Sequence, residues 1–232
     1  MLSKLSSYCL FAILIGCAFI SIEVFAHGVD DNTRAFLEQN SGVQFVPFLY
    51  IGAKHMITGY DHLLFLVGVI FFLYRSRDVF LYVTMFTIGH STTLLLGVLG
   101  DIQVNAYLVD AIIGLSVVYK GFDNLGGFKR CFHWQPNTQW AVLIFGLFHG
   151  LGLATKLQEF NLPKEGLFTN LVAFNIGVEI GQFAALVVIL IVINVWRKWP
   201  SFQRFSTLTN TLLMSAGVML IVYQLTGYVI NK

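Results

Sequence analysis

The chain has 232 residues, of which 56% are hydrophobic, 15% aromatic and only 11% charged, and its mean hydropathy is +0.74. A soluble domain carries about 25% charged residues, so this composition indicates a membrane protein and excludes a soluble enzyme. The formal net charge of +2 is too small and too dispersed to indicate a nucleic-acid partner. Three cysteines exclude a disulfide scaffold.

Residues 1–26 have the pattern of a secretory signal peptide. Lys4 precedes an apolar stretch, and Val24-Phe25-Ala26 fits the small-residue cleavage rule. Cleavage there would make His27 the mature N-terminus, where its amine and imidazole together could bind a metal. Two alternatives stay open: a lipoprotein cleavage site before Cys17, and an uncleaved anchor helix. Residues 27–45 then form a short periplasmic segment.

From residue 46 to 232, apolar runs alternate with short polar loops. This pattern predicts an all-α membrane protein, a polytopic bundle of about six transmembrane helices. The first span is either one long kinked helix or a short interfacial helix that breaks near Thr58-Gly59 before a spanning piece. The predicted spans are 46–74, 79–99, 105–122, 139–157, 167–196 and 207–230.

Basic residues fall in alternate predicted loops, which the positive-inside rule assigns to the cytoplasm. We therefore predict a multi-pass protein of the bacterial inner membrane, with both mature termini in the periplasm. The basic residues that carry this orientation are Arg75, Arg77, Lys120, Lys129, Arg130, Arg197, Lys198 and Arg204.

Ionisable side chains recur inside the predicted spans, although each costs roughly 2.5 to 3.5 kcal/mol on insertion scales. Counted from the outer ends of their spans, those on the second to fifth spans share the outer half of the bilayer. Neutral imidazole suits nickel, cobalt, zinc and copper, and carboxylates balance their charge. We therefore predict a divalent transition metal as the bound ion. The predicted ligands are His55, Asp61, His62, His90, His149 and Glu179.

Further polar residues are expected to support these ligands or to line an ion path: Asp110, Asn175, Gln182 and Ser91. Asp61 leaves its helix about 100° away from His62, so we expect it to serve a histidine of another span. Glycines beside the candidate ligands would let the helices approach closely. These glycines are Gly89, Gly146, Gly150, Gly177 and Gly181.

Four ordered motifs resemble those of the HupE/UreJ family of small membrane proteins over about residues 45–230. They are His55 to Phe65, Phe86 to Ser91, Phe145 to Gly150 and Asn175 to Glu179. The methionine directly after the first histidine, Met56, resembles the pattern of the second branch of the family. The resemblance implies a role in nickel or cobalt entry for hydrogenase and urease maturation.

The leading hypothesis is a permease for a divalent transition metal, nickel or cobalt first and copper or zinc next, rather than an enzyme. Because the inner half of the spans has no ionisable residue in this interpretation, release would need backbone carbonyls, hydroxyls such as Ser116 or Thr84, or a conformational change. One alternative is a zinc-dependent hydrolase of a lipid amide or ester, with Asp61 or Glu179 as general base. Another is a metal-binding accessory subunit of a membrane complex. The expected partners are the metal ion, membrane lipid, and a second copy or another membrane subunit.

Overall fold

In a computed structural model of the chain, residues 42–159 and 164–231 are described. Every regular element in these two ranges is a helix, which confirms the predicted all-α fold. The predicted signal peptide, His27 and nearly all of the predicted periplasmic segment lie outside the described residues. The helices are α1 Phe45–Thr58, α2 Tyr60–Ile70, α3 Ser76–Leu99, α4 Ala106–Asn124, α5 Gly127–Phe132, α6 Thr138–Gln158, α7 Leu167–Arg197 and α8 Pro200–Ile230.

Four of these helices, α3, α6, α7 and α8, are long and apolar enough to cross a membrane. Helix α2 is also apolar but has 11 residues, or about 16 Å of length, which is short of the roughly 30 Å hydrocarbon core. Helix α4 has 19 residues, yet Asp110, Lys120 and Asp123 make it less apolar. The structure thus supports a membrane protein, and the count of six spans stays a prediction.

The first predicted span is interrupted at Gly59, which separates α1 from α2. The two short helices follow one another along α7. At the start of α7, Asn170 accepts a hydrogen bond from the backbone N–H of Gln44 at 2.7 Å. At its end, Arg197 donates to the carbonyl of Ile70, also at 2.7 Å. The predicted break is therefore present, but α1 lies in the bundle instead of at the membrane surface.

The closest helix pairs are α1 with α7, α3 with α6, and α4 with α8. Glycines form these contacts, as the sequence predicts. A Cβ atom on Gly177 would overlap the carbonyl oxygen of Leu49, and one on Gly146 would overlap that of Phe86. Backbone therefore packs against backbone in both pairs, which brings the side chains beside these glycines close together.

Two positions near the basic end of the bundle differ from the sequence prediction. Lys120, which the sequence prediction counted with the basic loop residues although the predicted span 105–122 includes it, lies within α4. It is 5% exposed and donates to Asp123 Oδ2 at 2.7 Å. Helix α8 begins at Pro200 instead of residue 207, because proline suits the first helical turn, where no N–H is needed. Lys120 is therefore a buried ionisable group inside the helix bundle, toward its basic end.

Candidate metal site

Four histidine rings meet inside the bundle, with His62 at their centre. The ring centroid of His62 lies 4.7 Å from that of His149, 5.3 Å from that of His55 and 5.9 Å from that of His90. These four residues come from α1, α2, α3 and α6. The structure thus brings together the four predicted histidine ligands, which come from three separate parts of the chain.

Three of the four histidines and Asp61 are almost fully buried, whereas His55 is partly exposed. His62 and His90 are each 1% exposed, His149 is 0% exposed, and Asp61 is 2% exposed. On one side of the histidines lies an apolar cluster that includes Phe65 and Phe86. The ring centroid of Phe86 is 5.0 Å and that of Phe65 is 5.5 Å from the ring centroid of His149. On the other side, a second apolar cluster includes Phe174, whose ring lies 6.1 Å from that of His55. The site is a polar layer between two apolar clusters.

The interruption at Gly59 lies between three of the predicted ligands. His55 occupies the last turn of α1, and Asp61 and His62 occupy the first turn of α2. A Cβ atom on Gly59 would lie 2.9 Å from Nδ1 of His62 and 3.3 Å from Oδ1 of Asp61. Glycine therefore leaves room for both side chains at the break. Because α1 does not continue into α2, the spacing of seven residues does not by itself align His55 with His62.

Asp61 contacts its own neighbour, contrary to the sequence prediction. Its Oδ1 lies 3.1 Å from Nδ1 of His62. The angle of about 100° between successive residues describes where the side chains leave the helix, and in the first turn of α2 the carboxylate can still reach back to the adjacent ring. An ionised carboxylate only accepts hydrogen bonds, so Nδ1 of His62 donates and Nε2 carries the lone pair.

His90 and His149 are held by the close contact between α3 and α6. A Cβ atom on Gly150 would overlap the carbonyl oxygen of His90, so the two backbones touch where the two ligands emerge. Both ring nitrogens of His90 and Nδ1 of His149 are buried and have no hydrogen-bond partner among the described residues. Buried polar atoms are normally paired. In a neutral ring one nitrogen carries a proton and the other a lone pair, so each ring has one nitrogen that could bind a metal.

The donor atoms are close enough for one ion to reach several of them. Ligand atoms of Asp61, His62 and His149 all lie within 4.8 Å of one another. Imidazole nitrogen and carboxylate oxygen bind a transition metal at about 2.0 to 2.2 Å. Two donors on opposite sides of an ion are then about 4 Å apart, so this group needs only small side-chain movements to close on a metal.

Glu179 lies outside the cluster. It is exposed on α7, whereas Gly177 and Gly181 face Leu49 and Ala53 of α1. Successive residues on a helix are rotated by about 100°, so residues two apart lie on nearly opposite sides. Because Gly177 and Gly181 face α1, Glu179 faces away from it. The sequence analysis considered the depth of Glu179 and left its direction around the helix undetermined. A ligand role for Glu179 stays a prediction.

Two of the other predicted polar residues, Asn175 and Gln182, have hydrogen-bond partners, whereas Ser91 has none among the described residues. Asn175 is buried and donates to the carbonyl of Leu171 in its own helix at 3.1 Å. Gln182 accepts a hydrogen bond from Thr87 of α3 at 3.2 Å, and it lines a small cavity together with His62. Ser91 follows His90 and has a buried hydroxyl without a partner among the described residues.

Asp110 joins three helices. Its Oδ2 accepts from Lys156 of α6 at 2.7 Å and from Gln224 of α8 at 3.2 Å. Asp110 is 6% exposed, so this is a largely buried ion pair, in which the loss of one partner leaves an uncompensated charge. The pair indicates a structural role for Asp110, with α4, α6 and α8 tied at one point.

Asp110→Asn should therefore destabilise the protein by about 3 kcal/mol, because Lys156 keeps its charge without a carboxylate. The double change Asp110→Asn with Lys156→Met should recover part of this loss, because both charges are then absent. Thermal unfolding in detergent, with bound metal measured in parallel, tests this expectation. Unchanged unfolding together with a loss of metal would instead give Asp110 a direct part in ion binding.

Ser116 is a site residue whose role the sequence analysis missed. It had appeared only as one hydroxyl for ion release, but the structure puts its Oγ 3.2 Å from Nε2 of His149. Phe65 and Phe86 were likewise not singled out. No pattern along the chain points to these contacts, since each joins residues more than twenty positions apart.

The family model described as HupE / UreJ protein matches residues 31–232 of the chain. The matched range contains all six ligands predicted within the spans. Neither the curated proteins nor the solved structures include a match.

Proposed function

The chain belongs to the HupE/UreJ family, and from that membership we propose that it is a permease for a divalent transition metal ion. Nickel or cobalt is the first candidate for the cargo, and copper or zinc is the next. The proposed location is the bacterial inner membrane, with both mature termini in the periplasm, because the basic residues cluster at one end of the bundle.

One observation carries this proposal: His55, His62, His90 and His149 converge in the interior of a membrane helix bundle. Ionisable groups at this depth are rare unless they serve ions, protons or ligands. Nitrogen donors favour nickel, cobalt, copper and zinc over magnesium and calcium, which prefer oxygen. The donor set therefore supports a transition metal as the cargo.

The interrupted helix supports transport over storage. Secondary transporters commonly bind substrate where a spanning helix is broken, because half-helix ends offer unpaired backbone groups. Here the C-terminal end of α1 and the N-terminal end of α2 meet beside His55 and His62. The carbonyl end of α1 carries partial negative charge, which suits a cation, and the N–H end of α2 carries partial positive charge, which suits the carboxylate of Asp61.

Two neighbouring cavities offer a route from the cluster toward the basic end of the bundle. The first has a volume of about 10 Å³, borders His62, and is otherwise walled mainly by apolar side chains, so it holds about one water molecule. The second has a volume of about 330 Å³ and contains Lys120 and Asp123. Val69 and Tyr82 line both cavities.

This arrangement fits a gated path. Phe65, Phe86 and Val142 are among the residues that line the small cavity, and an apolar constriction resists the passage of a hydrated ion until it widens. Asp123 in the wider cavity offers a carboxylate beyond the constriction, although Lys120 and Gln135 occupy its oxygens at 2.7 and 2.6 Å. We propose that an ion leaves the histidine cluster through this gap.

The hydrolase alternative has less support. A lipid amide or ester would have to reach rings that are at most 1% exposed at His62, His90 and His149. A permease needs access only for an ion. An accessory subunit would also bind metal, but it would not move the ion across a bilayer without its partner.

Uptake into proteoliposomes tests the permease directly. The purified full-length protein should carry Ni²⁺ or Co²⁺ to an internal fluorescent chelator, and His90→Ala should reduce the rate to the level of protein-free vesicles. His133→Ala is the matched control, since His133 is exposed after α5, and this variant should transport like the wild type. We do not expect the protein to cleave amides or esters without metal. If it cleaved lipid in a zinc-dependent reaction and carried no metal ion into the vesicles, the result would overturn the proposal in favour of the hydrolase.

A further inference from the structure

Ser116 contacts His149, and the other contact of Ser116 determines which of the two residues donates the hydrogen bond between them. Ser116 lies on α4 and is 0% exposed. Its Oγ makes two contacts, one with the carbonyl oxygen of Ile113 at 2.6 Å and one with Nε2 of His149 at 3.2 Å. A serine hydroxyl has one proton and can donate one hydrogen bond.

The carbonyl of Ile113 can only accept, so the hydroxyl proton of Ser116 is used in that bond. Toward His149, the Oγ atom must therefore act as the acceptor. Nε2 of His149 then carries the ring proton, and Nδ1 of the neutral ring carries the lone pair. That Nδ1 atom is buried and has no hydrogen-bond partner among the described residues.

We propose that Ser116 is a positioning residue that holds His149 in its Nε2–H form and so makes Nδ1 the atom that binds the metal. This inference rests on the proposed metal site. Partners that fix the second nitrogen of a ligating histidine are a general means of orienting the ring and raising the affinity for the ion. Asp61 has the opposite effect on His62, where it fixes Nδ1–H and leaves Nε2 as the donor.

The same accounting of protons excludes a serine nucleophile activated by His149. Activation would require Nε2 to accept the hydroxyl proton, but that proton is bonded to the carbonyl of Ile113. Ser116 and His149 therefore form a pair that orients a ligand.

Equilibrium binding of Co²⁺ to the purified full-length protein in detergent tests the proposal. Ser116→Ala should weaken Co²⁺ binding by about tenfold to a hundredfold, the range for loss of such a partner. Ser116→Thr should restore most of the affinity, because the threonine hydroxyl can keep both contacts. Ser215→Ala is the matched control on α8, where the hydroxyl bonds to Thr211 within its own helix, and it should bind Co²⁺ like the wild type.

A second measurement reads the position of the proton without any metal. In protein labelled with ¹⁵N-histidine, the signals absent from His149→Ala belong to His149, and they should show Nε2–H in the wild type. Ser116→Ala should mix the two tautomers. If that variant does not fold, the wild-type spectrum still decides, since Nδ1–H on His149 would overturn the proposal.

Failure of this inference differs from failure of the metal site itself. Wild-type protein that binds none of Co²⁺, Ni²⁺, Cu²⁺ and Zn²⁺ would refute the proposed function. Wild-type protein that binds Co²⁺, with unchanged affinity and tautomer in Ser116→Ala, would refute only the role of Ser116.

Discussion

Replacing His62 by alanine should abolish both metal binding and ion uptake. The ring of His62 is the only one among those described that lies within 6 Å of the three other histidine rings of the cluster. Its removal takes away a direct donor and leaves His55, His90 and His149 without their common neighbour. The affinity for Co²⁺ or Ni²⁺ should fall by more than the roughly hundredfold that marks loss of an outer hydrogen-bond partner.

Two comparisons make this result specific. His55→Ala should weaken binding less, because His55 lies at the edge of the cluster and is only partly buried. His133→Ala should leave binding unchanged. Elemental analysis of protein purified without chelator, together with a Co²⁺ titration, would measure all three variants. If His62→Ala retained wild-type affinity while remaining folded, the four rings would belong to helix packing alone.

Gly150→Ala should damage the fold and the site together. A Cβ atom at position 150 would overlap the carbonyl oxygen of His90 and would lie too near Oγ1 of Thr93. Since backbone cannot move aside as a side chain can, α3 and α6 must separate, at a cost of about 1 to 3 kcal/mol. His90 and His149 emerge at this contact, so their rings should also move apart and metal affinity should fall.

Gly217→Ala is the matched control for this change. Gly217 forms the corresponding close contact between α4 and α8, where a new Cβ would meet the carbonyl of Gly114 and the side chain of Val118. We expect a similar loss of thermal stability in detergent with metal binding retained. Equal loss of metal in both glycine variants would show that binding follows global stability, not the α3–α6 contact.

Many residues of the candidate site could be predicted because each stands out from its neighbours in the sequence. Each histidine stands out against an apolar span, since a polar group in hydrocarbon needs a reason to be there. The glycines beside His90 and His149 predicted close helix contacts, and α3 and α6 contact each other at these glycines. The break at Gly59 was one of two alternatives that the sequence left open, and the structure has it.

What failed was the direction of side chains around their helices. The depth of Glu179 was estimated from the chain, but its direction depends on which neighbour α7 meets, and Gly177 and Gly181 fix that through α1. The contact between Asp61 and His62 and the position of Ser116 beside His149 likewise follow from packing. A single sequence carries depth in its spacing, whereas the direction of each face is set by helices distant along the chain.

The interruption at Gly59 also has a consequence for biosynthesis. Neither α1 nor α2 is long enough to span the hydrocarbon core, and broken backbone at this depth is stable only where protein covers it. Helix α7 provides that cover from α1 to the end of α2, yet it is translated more than a hundred residues later. The packing of α1 and α2 is therefore complete only after α7 has been synthesised. A chain that ends before α7 would therefore lack the packing that completes the candidate ion site.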